Sequence, residues 1–126
     1  MRGIKWITGL FILVLSLIVL IANLGLGIEY FPFIYTIPGL DKIGHFILMG
    51  ILSFLVNLLF KAEKIQLLSK EFLIGSLVVI LVVSLEEISQ LFLIYRAFNW
   101  VDLAFDLGGI FLGGRLTILV KNKSEK

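Results

Sequence analysis

Long apolar runs dominate the chain, and short polar stretches separate them. The pattern predicts four membrane helices at about residues 6–26, 42–60, 72–95 and 100–120. The first run carries no charge from Trp6 to Ile28, which exceeds the roughly 20 residues that a helix needs to cross the bilayer hydrocarbon. Its basic flank imitates a signal peptide, but the apolar run is too long and no A-x-A-like cleavage site follows. We therefore interpret it as a retained helix.

The stretches between the runs differ in composition. The first, "GLGIEYFPFIYTIPGL", contains both prolines and several aromatic residues that are typical of a membrane interface. It should break the helix, and it could also cover polar residues below it. We predict that "KAEKIQLLSK" is a short loop. The last connection is so short that the third and fourth helices should form an antiparallel hairpin.

Composition supports this membrane interpretation. Of the 126 residues, 60% are hydrophobic and only 16% are charged, and the mean hydropathy is +1.09. A soluble domain of this length would carry more surface charge. The absence of cysteine excludes a disulfide framework and thiol chemistry, and nothing resembles a nucleic-acid-binding module. The sequence predicts one all-α integral membrane four-helix bundle over residues 1–126, without a nucleic-acid partner.

The basic residues are distributed unevenly along this topology. Two of them, Lys42 and Arg96, fall on one side of the predicted membrane, and Arg115 lies within the fourth helix. The positive-inside rule therefore predicts that both termini are cytoplasmic. Eight basic residues fall on that inner side: Arg2, Lys5, Lys61, Lys64, Lys70, Lys121, Lys123 and Lys126.

Polar residues of three predicted helices should meet at one depth. Glu86 lies about 21 Å along the third helix from Phe72, roughly 9 Å short of the outer edge of a 30 Å core. Asp106 reaches a similar depth from the other end of the fourth helix. We call the whole set the polar layer. It consists of Asp41, Lys42, His45, Glu86, Glu87, Gln90, Arg96, Asp102 and Asp106.

Helical spacing orders this layer. Residues that are four positions apart share a helix face. Three pairs have this spacing: Asp41 and His45, Glu86 and Gln90, and Asp102 and Asp106. The Asp102 face continues through Gly109 and Gly113, a G-x-x-x-G pair that favours close helix packing. Glu87 points about 100° away from Glu86, so the two carboxylates need not share a role.

Charge within the layer is unbalanced. Five carboxylates face two cations, Lys42 and Arg96, which leaves three carboxylates without a fixed partner. Their burial requires protonation, water, a bound cation such as a divalent metal, or a cationic group on a ligand. Arg96 could be the counter-ion of Glu87 or Asp102, a ligand-binding group, or both. For His45 the simplest alternative is a hydrogen bond to Asp41 or to a lipid head group.

Several spaced motifs resemble the VanZ-like family of membrane proteins. They are "DKIGHF", "EEISQLF", "RAF" and "VDLAFDLGGIFLGG", and the resemblance covers essentially the whole chain. It implies functional positions at Asp41, Lys42, His45, Glu87, Gln90, Arg96, Asp102 and Gly113. Glu86 and Asp106 lie beside the family pattern, in which a small polar residue is commoner at the Asp106 position. The family is named for a protein linked to low-level teicoplanin resistance, so the resemblance implies a cell-envelope role and gives no reaction.

Three functions remain open. In the first, the polar layer binds the head group of a lipid-linked or lipophilic glycopeptide-type molecule at the outer leaflet. In the second, an intramembrane enzyme uses His45, Glu87 and Asp102 for acid–base or metal-assisted chemistry on an envelope lipid, where the donors suit Mg²⁺ or Mn²⁺. The third is a proton-coupled carrier. It would need to form a homo-oligomer, and the inner halves of the helices offer it few polar residues.

Overall fold

The computed structural model describes residues 2–96 and 98–124, and the predictions that involve Met1, Ala97, Glu125 and Lys126 lie outside them. In chain order the elements are α1 (Arg2–Asn23), α2 (Gly27–Tyr30), α3 (Pro32–Thr36), α4 (Leu40–Leu59), β1 (Lys64–Leu67), β2 (Lys70–Leu73), α5 (Ile74–Ser89), a 3-10 turn (Gln90–Phe92) and α6 (Trp100–Ser124). The helices α1, α4, α5 with its 3-10 turn, and α6 are long and apolar enough to cross a membrane. The predicted all-α four-helix fold is confirmed, and these helices indicate a multi-pass membrane protein.

The helix α4 is central in the bundle. Its largest interface is with α6, while α5 packs against both α4 and α6, and α1 packs mainly against α4. Leu52, Val56, Val79, Val83 and Ile110 form the buried apolar core at the junction of α4, α5 and α6. This junction matters for function because the polar layer is carried by the same three helices.

Large apolar side chains cover the outside of the bundle. Trp6 and Leu10 of α1 are 79% and 63% exposed, and Phe111 of α6 is 71% exposed. Such a surface would favour aggregation in water. In a bilayer it has no such cost, because lipid tails are as apolar as these side chains.

The aromatic stretch after α1 is more ordered than a simple break. It contains the short helices α2 and α3, and Pro32 begins α3, where a missing N–H costs no hydrogen bond. Before them, Gly25 has a φ of +77°, and the ring of Tyr95 packs so closely that no Cβ would fit. Tyr30 and Tyr35 are exposed, as residues at a membrane interface are expected to be.

The stretch between α4 and α5, predicted as a loop, is an antiparallel β-hairpin. Leu67 pairs with Lys70 at its closed end, and the connecting residues Leu68 and Ser69 have φ values of 52° and 67°. Two positive φ angles are typical of a type I′ turn. The loop prediction was wrong because the sequence lacks the Asn-Gly or Asp-Gly pair that marks such turns.

Several predicted helix limits also differ from the structure. The third helix begins at Ile74 because β2 occupies the preceding residues, and its α-helical part ends at Ser89 instead of Tyr95. The first helix ends at Asn23, just before the left-handed Gly25. These shorter ends free Asn23 and Arg96 for the contacts described below.

Candidate functional site

A seam of glycines brings α4 and α6 together. A Cβ on Gly109 would overlap the carbonyl oxygen of Phe46, and a Cβ on Gly113 would overlap that of Gly50. The backbones therefore approach as closely as the predicted G-x-x-x-G face requires. This confirmed contact sets the distance between polar side chains on the two helices.

One residue from each of three helices forms a buried group that we call the acid cluster: His45 of α4, Glu87 of α5 and Asp106 of α6. Each offers one ligand atom, and these three atoms all lie within 4.8 Å of one another. His45 Nδ1 is 2.8 Å from Asp106 Oδ1. Glu87 is 0% and Asp106 is 2% exposed. The predicted convergence of three helices at one depth is therefore present in the structure.

Glu87 is the exceptional member of the acid cluster. Both of its carboxylate oxygens are buried, and neither has a hydrogen-bond partner among the residues that the structure describes. A buried polar group without a partner costs about 1–3 kcal/mol, and a charged group costs more. This carboxyl group therefore has binding capacity that the described protein atoms leave unused.

A second group lies one helical turn away, and we call it the rim cluster: Asp41, Lys42 and Asp102. Lys42 Nζ donates to Asp41 Oδ2 at 3.0 Å and also contacts Asp102 Oδ1. The Asp41 side chain is 43% exposed, whereas that of Asp102 is 15% exposed. The positive charge of Lys42 is thus shared by two carboxylates, one of which reaches the surface.

The third group joins the end of α5 to the end of α1, and we call it the arginine cluster. Arg96 Nη1 donates to Asn23 Oδ1 at 2.8 Å and lies 3.8 Å from Glu86 Oε1. Gln90 Nε2 is 3.0 Å from both carboxylate oxygens of Glu86. The predicted pairing of Glu86 with Gln90 on one helix face is confirmed.

Three predicted contacts are corrected by this geometry. Arg96 is the neighbour of Glu86, and it contacts neither Glu87 nor Asp102 in the described structure. Asp102 is occupied by Lys42, so Asp106 takes the place beside His45 that was expected for a catalytic carboxylate. His45 therefore pairs with a residue of another helix and not with Asp41. The helix spacing indicated shared faces but could not choose among partners on different helices.

Asn23 is a member of the site that sequence reasoning missed. It lies at the end of an otherwise apolar helix, as an uncharged residue just before a glycine-rich break. Only its contact with Arg96 shows its role. The one signal in the sequence was that Asn23 is a polar residue at a predicted helix end, on the same side of the membrane as Arg96.

The three groups divide the predicted excess of negative charge. If all five carboxylates are ionised, Lys42 leaves the rim cluster with one unmatched negative charge, and Arg96 balances Glu86. When His45 is neutral, Glu87 and Asp106 contribute the other two. The main charge imbalance is therefore in the acid cluster, where burial makes it most costly.

A separate polar network lies toward the other end of α4. Asn57 Nδ2 donates to Ser76 Oγ at 2.8 Å, and Asn57 Oδ1 accepts from the Ser76 amide at 3.0 Å. Ser53 Oγ donates to the carbonyl of Ile110 at 2.8 Å. Asn57 of α4 thus bonds across to α5, and we call these three side chains the serine–asparagine network.

An apolar groove of about 290 Å³ runs along α4 and α6. It begins at Phe46, the residue after His45, and continues past Gly50 and Phe54 of α4 and Leu112 and Leu116 of α6. Its lining has the character of a lipid-facing surface. The groove therefore extends from the level of the acid cluster toward the opposite membrane face.

Comparison of the chain with protein-family models, with curated proteins and with solved structures finds no match in any of the three. The resemblance to the VanZ-like family stays a prediction, and the function rests on the geometry of the polar layer.

Proposed function

We propose that this chain is a VanZ-like membrane protein of the bacterial cell envelope. Its polar layer binds the head group of a lipid-linked or lipophilic glycopeptide-type molecule at the outer leaflet of the cell membrane. The buried, unpartnered carboxylate of Glu87 is the observation that carries this proposal. A protein that only needed a stable bundle would gain from an apolar residue there, since an unsatisfied buried acid is destabilising.

The surrounding charges support a ligand that carries both signs. The acid cluster needs a positive charge, supplied by a cationic part of the ligand or by a bound ion. Lys42 and Arg96, whose side chains are 23% and 18% exposed, lie within the same polar layer. They suit phosphate or carboxylate groups, and Arg96 offers a bidentate donor.

The apolar groove supports a lipophilic ligand. One end of it is at Phe46, the residue after His45, and it is lined by apolar and small residues. An acyl or prenyl chain in this groove would remain in the membrane while its head group contacts the acid cluster. This arrangement resembles other ligand sites that combine an apolar wall with a few polar anchors.

The proposal requires the polar layer to lie at the outer face of the membrane. Eight bases on one side against two on the other support cytoplasmic termini. A cytoplasm-active reporter fused after Lys126 should be active, and an export-dependent reporter at the same point should be inactive. The reverse pattern would place the polar layer at the cytoplasmic face and contradict an outer-leaflet site.

Binding is the direct test. In lipid nanodiscs, the purified protein should bind a fluorescent lipid-linked cell-wall precursor more tightly than phosphatidylglycerol. Glu87→Gln should weaken this binding at least about tenfold, the equivalent of 1.4 kcal/mol. Glu71→Gln is the matched control, because this glutamate lies on the exposed hairpin with a side chain 58% exposed. Equal affinities for the two lipids, or equal losses in the two variants, would contradict the proposal.

A susceptibility assay tests the proposed link to resistance. Expression of the chain in a sensitive Gram-positive host should raise the teicoplanin concentration that inhibits growth, and Glu87→Gln should remove the effect at equal protein levels. If the host stays fully sensitive while the binding assay succeeds, the binding proposal stands without the resistance role.

A second candidate is an intramembrane enzyme that acts on an envelope lipid. It is favoured by the 2.8 Å contact between His45 and Asp106 beside the unpartnered Glu87. A histidine oriented by a carboxylate is suited to proton transfer. Mass spectrometry of the lipid-linked precursor after incubation should then detect a product that disappears with His45→Gln. Unchanged lipid at binding saturation would favour the binding function.

A further inference from the structure

We propose that the acid cluster is a divalent transition-metal site in which His45, Glu87 and Asp106 are the protein ligands. This inference deepens the proposed function, since it identifies the positive charge that the acid cluster needs. One donor comes from each of three packed helices, and all three donor atoms lie within 4.8 Å of one another. The site would therefore also hold the three helices together.

The spacing of the donors suits one metal ion. Two ligand atoms at about 2.1 Å from a common metal are about 3.0–4.2 Å apart, depending on the angle between them. His45 Nδ1 and Asp106 Oδ1 are already 2.8 Å apart. No two of the three donor atoms are more than 4.8 Å apart, so binding one metal requires a contraction of at most roughly 2 Å, which side-chain rotation can supply.

The second observation is the condition of Glu87. Its carboxylate is fully buried, faces the other two donors and has no hydrogen-bond partner in the described part of the chain. The nearby carboxylates differ from it in this respect. Asp102 contacts Lys42, and Glu86 accepts from Gln90. Within residues 2–96 and 98–124, only the acid cluster combines convergent donors with a carboxylate that lacks a partner.

Charge identifies the class of ion. Two carboxylates and a neutral imidazole carry two negative charges, which one divalent cation balances. An imidazole nitrogen with two carboxylate oxygens is a mixed donor set that suits Mn²⁺ or Zn²⁺ better than Ca²⁺, which prefers only oxygen. Three protein ligands leave open positions on the metal, and phosphate oxygens of a bound head group could take them.

Metal binding is tested on the purified, tag-free protein in detergent, after chelator treatment and without added ligand. Titration with Mn²⁺ should reveal one saturable site by loss of the free-ion EPR signal. Glu87→Gln should weaken the affinity at least about tenfold, because even loss of an outer-shell partner costs about 10–100-fold. The matched control is Glu71→Gln, which removes the same charge from the exposed hairpin and should change the affinity less than about threefold, because solvent and salt screen an exposed charge.

A spectroscopic measurement on the unaltered protein keeps the test decisive if a variant fails to fold. Because the chain has one histidine, an imidazole ¹⁴N modulation in the pulsed EPR spectrum of bound Mn²⁺ assigns the ion to His45. Three results would each overturn the metal site: weak, non-saturable Mn²⁺ binding, a bound ion without this modulation, or equal losses of affinity in the Glu71 and Glu87 variants.

The precursor-binding assay in chelator separates this inference from the proposed function. If the metal titration fails while the lipid-linked precursor still binds in chelator, the head-group proposal survives and the metal site is refuted. If Mn²⁺ binds at His45 but the precursor never binds with or without metal, the metal site stands and the proposed function is refuted.

Discussion

Two buried polar groups bridge the same three helices, and they differ in their hydrogen bonding. The serine–asparagine network places Asn57 against Ser76 and Ser53, and each of these side chains has a partner. The acid cluster, about 18 Å away along α4, contains Glu87, whose two oxygens have none among the described residues. The serine–asparagine network is satisfied by hydrogen bonds within the protein. The acid cluster requires a proton, an ion or a ligand besides the described protein atoms.

This contrast separates a structural polar group from a functional one by a physical criterion. Satisfied buried networks help to specify one packing arrangement. An unsatisfied buried acid lowers stability, so its presence is explained by a ligand, an ion or a proton that binds there. The same sequence therefore uses polar residues in the membrane for two different purposes.

The largest expected effect comes from the glycine seam that holds both groups in register. Gly113→Leu should destabilise the bundle by about 3 kcal/mol or prevent its accumulation, because any Cβ there meets the backbone of α4. Thermal melting in detergent measures the loss. Gly44→Leu is the matched control, since a Cβ on Gly44 meets nothing within 4 Å. Similar melting of the two variants would mean that the seam is not close-packed.

The next effect tests the satisfied network. Asn57→Leu should cost about 2 kcal/mol, because it leaves the Ser76 amide and hydroxyl without their Asn57 partners. Asn122→Leu, at an exposed position near the end of α6, should change stability by less than about 0.5 kcal/mol. Chemical unfolding in mild detergent compares the two. If Asn57→Leu left the free energy of unfolding unchanged, the distinction between the two polar groups would be lost.

Glu87→Gln should act in the opposite direction. In chelator-treated protein without ligand, this change should leave stability unchanged or raise it by about 1 kcal/mol, since it removes an unpartnered buried acid. Asp106→Asn should instead destabilise, because it weakens the 2.8 Å contact with His45. The melting temperatures of both variants show whether each change raises or lowers stability. Strong destabilisation by Glu87→Gln would show that Glu87 has a structural partner after all.

The smallest effect concerns the arginine cluster. Arg96→Lys and Asn23→Ala should each cost less than about 1.5 kcal/mol, because each change removes one part-buried hydrogen bond, which joins the end of α1 to the segment after α5. In a double-mutant cycle the two changes should show a coupling of about 0.5–1 kcal/mol. Arg96 and Glu71, which lies on the hairpin, should show none. Full additivity of the Arg96 and Asn23 changes would show that their contact contributes nothing.

The sequence by itself determined the four membrane helices, their approximate order and the depth of the polar layer. Long uncharged runs have few alternatives to a membrane helix, and a rise of 1.5 Å per residue fixes depth without any tertiary contact. The Gly109 and Gly113 face was predictable for a similar reason, because small residues at this spacing mark a close helix contact. Glu87 was among the functional positions that the resemblance to the VanZ-like family implied.

Only the tertiary structure decided which side chains meet. Helix periodicity gives the face of each residue but not the rotation of one helix against another. Asp106 therefore lies beside His45 where Asp102 was expected, Asp102 contacts Lys42, and Arg96 lies beside Glu86. The role of Asn23 is shown only by its hydrogen bond with Arg96 at the end of α1. The hairpin formed without a glycine signal because strand pairing can impose turn angles that local sequence does not favour. The unpartnered state of Glu87 is likewise a property of packing, since a carboxyl group lacks a partner only once three helices have enclosed it.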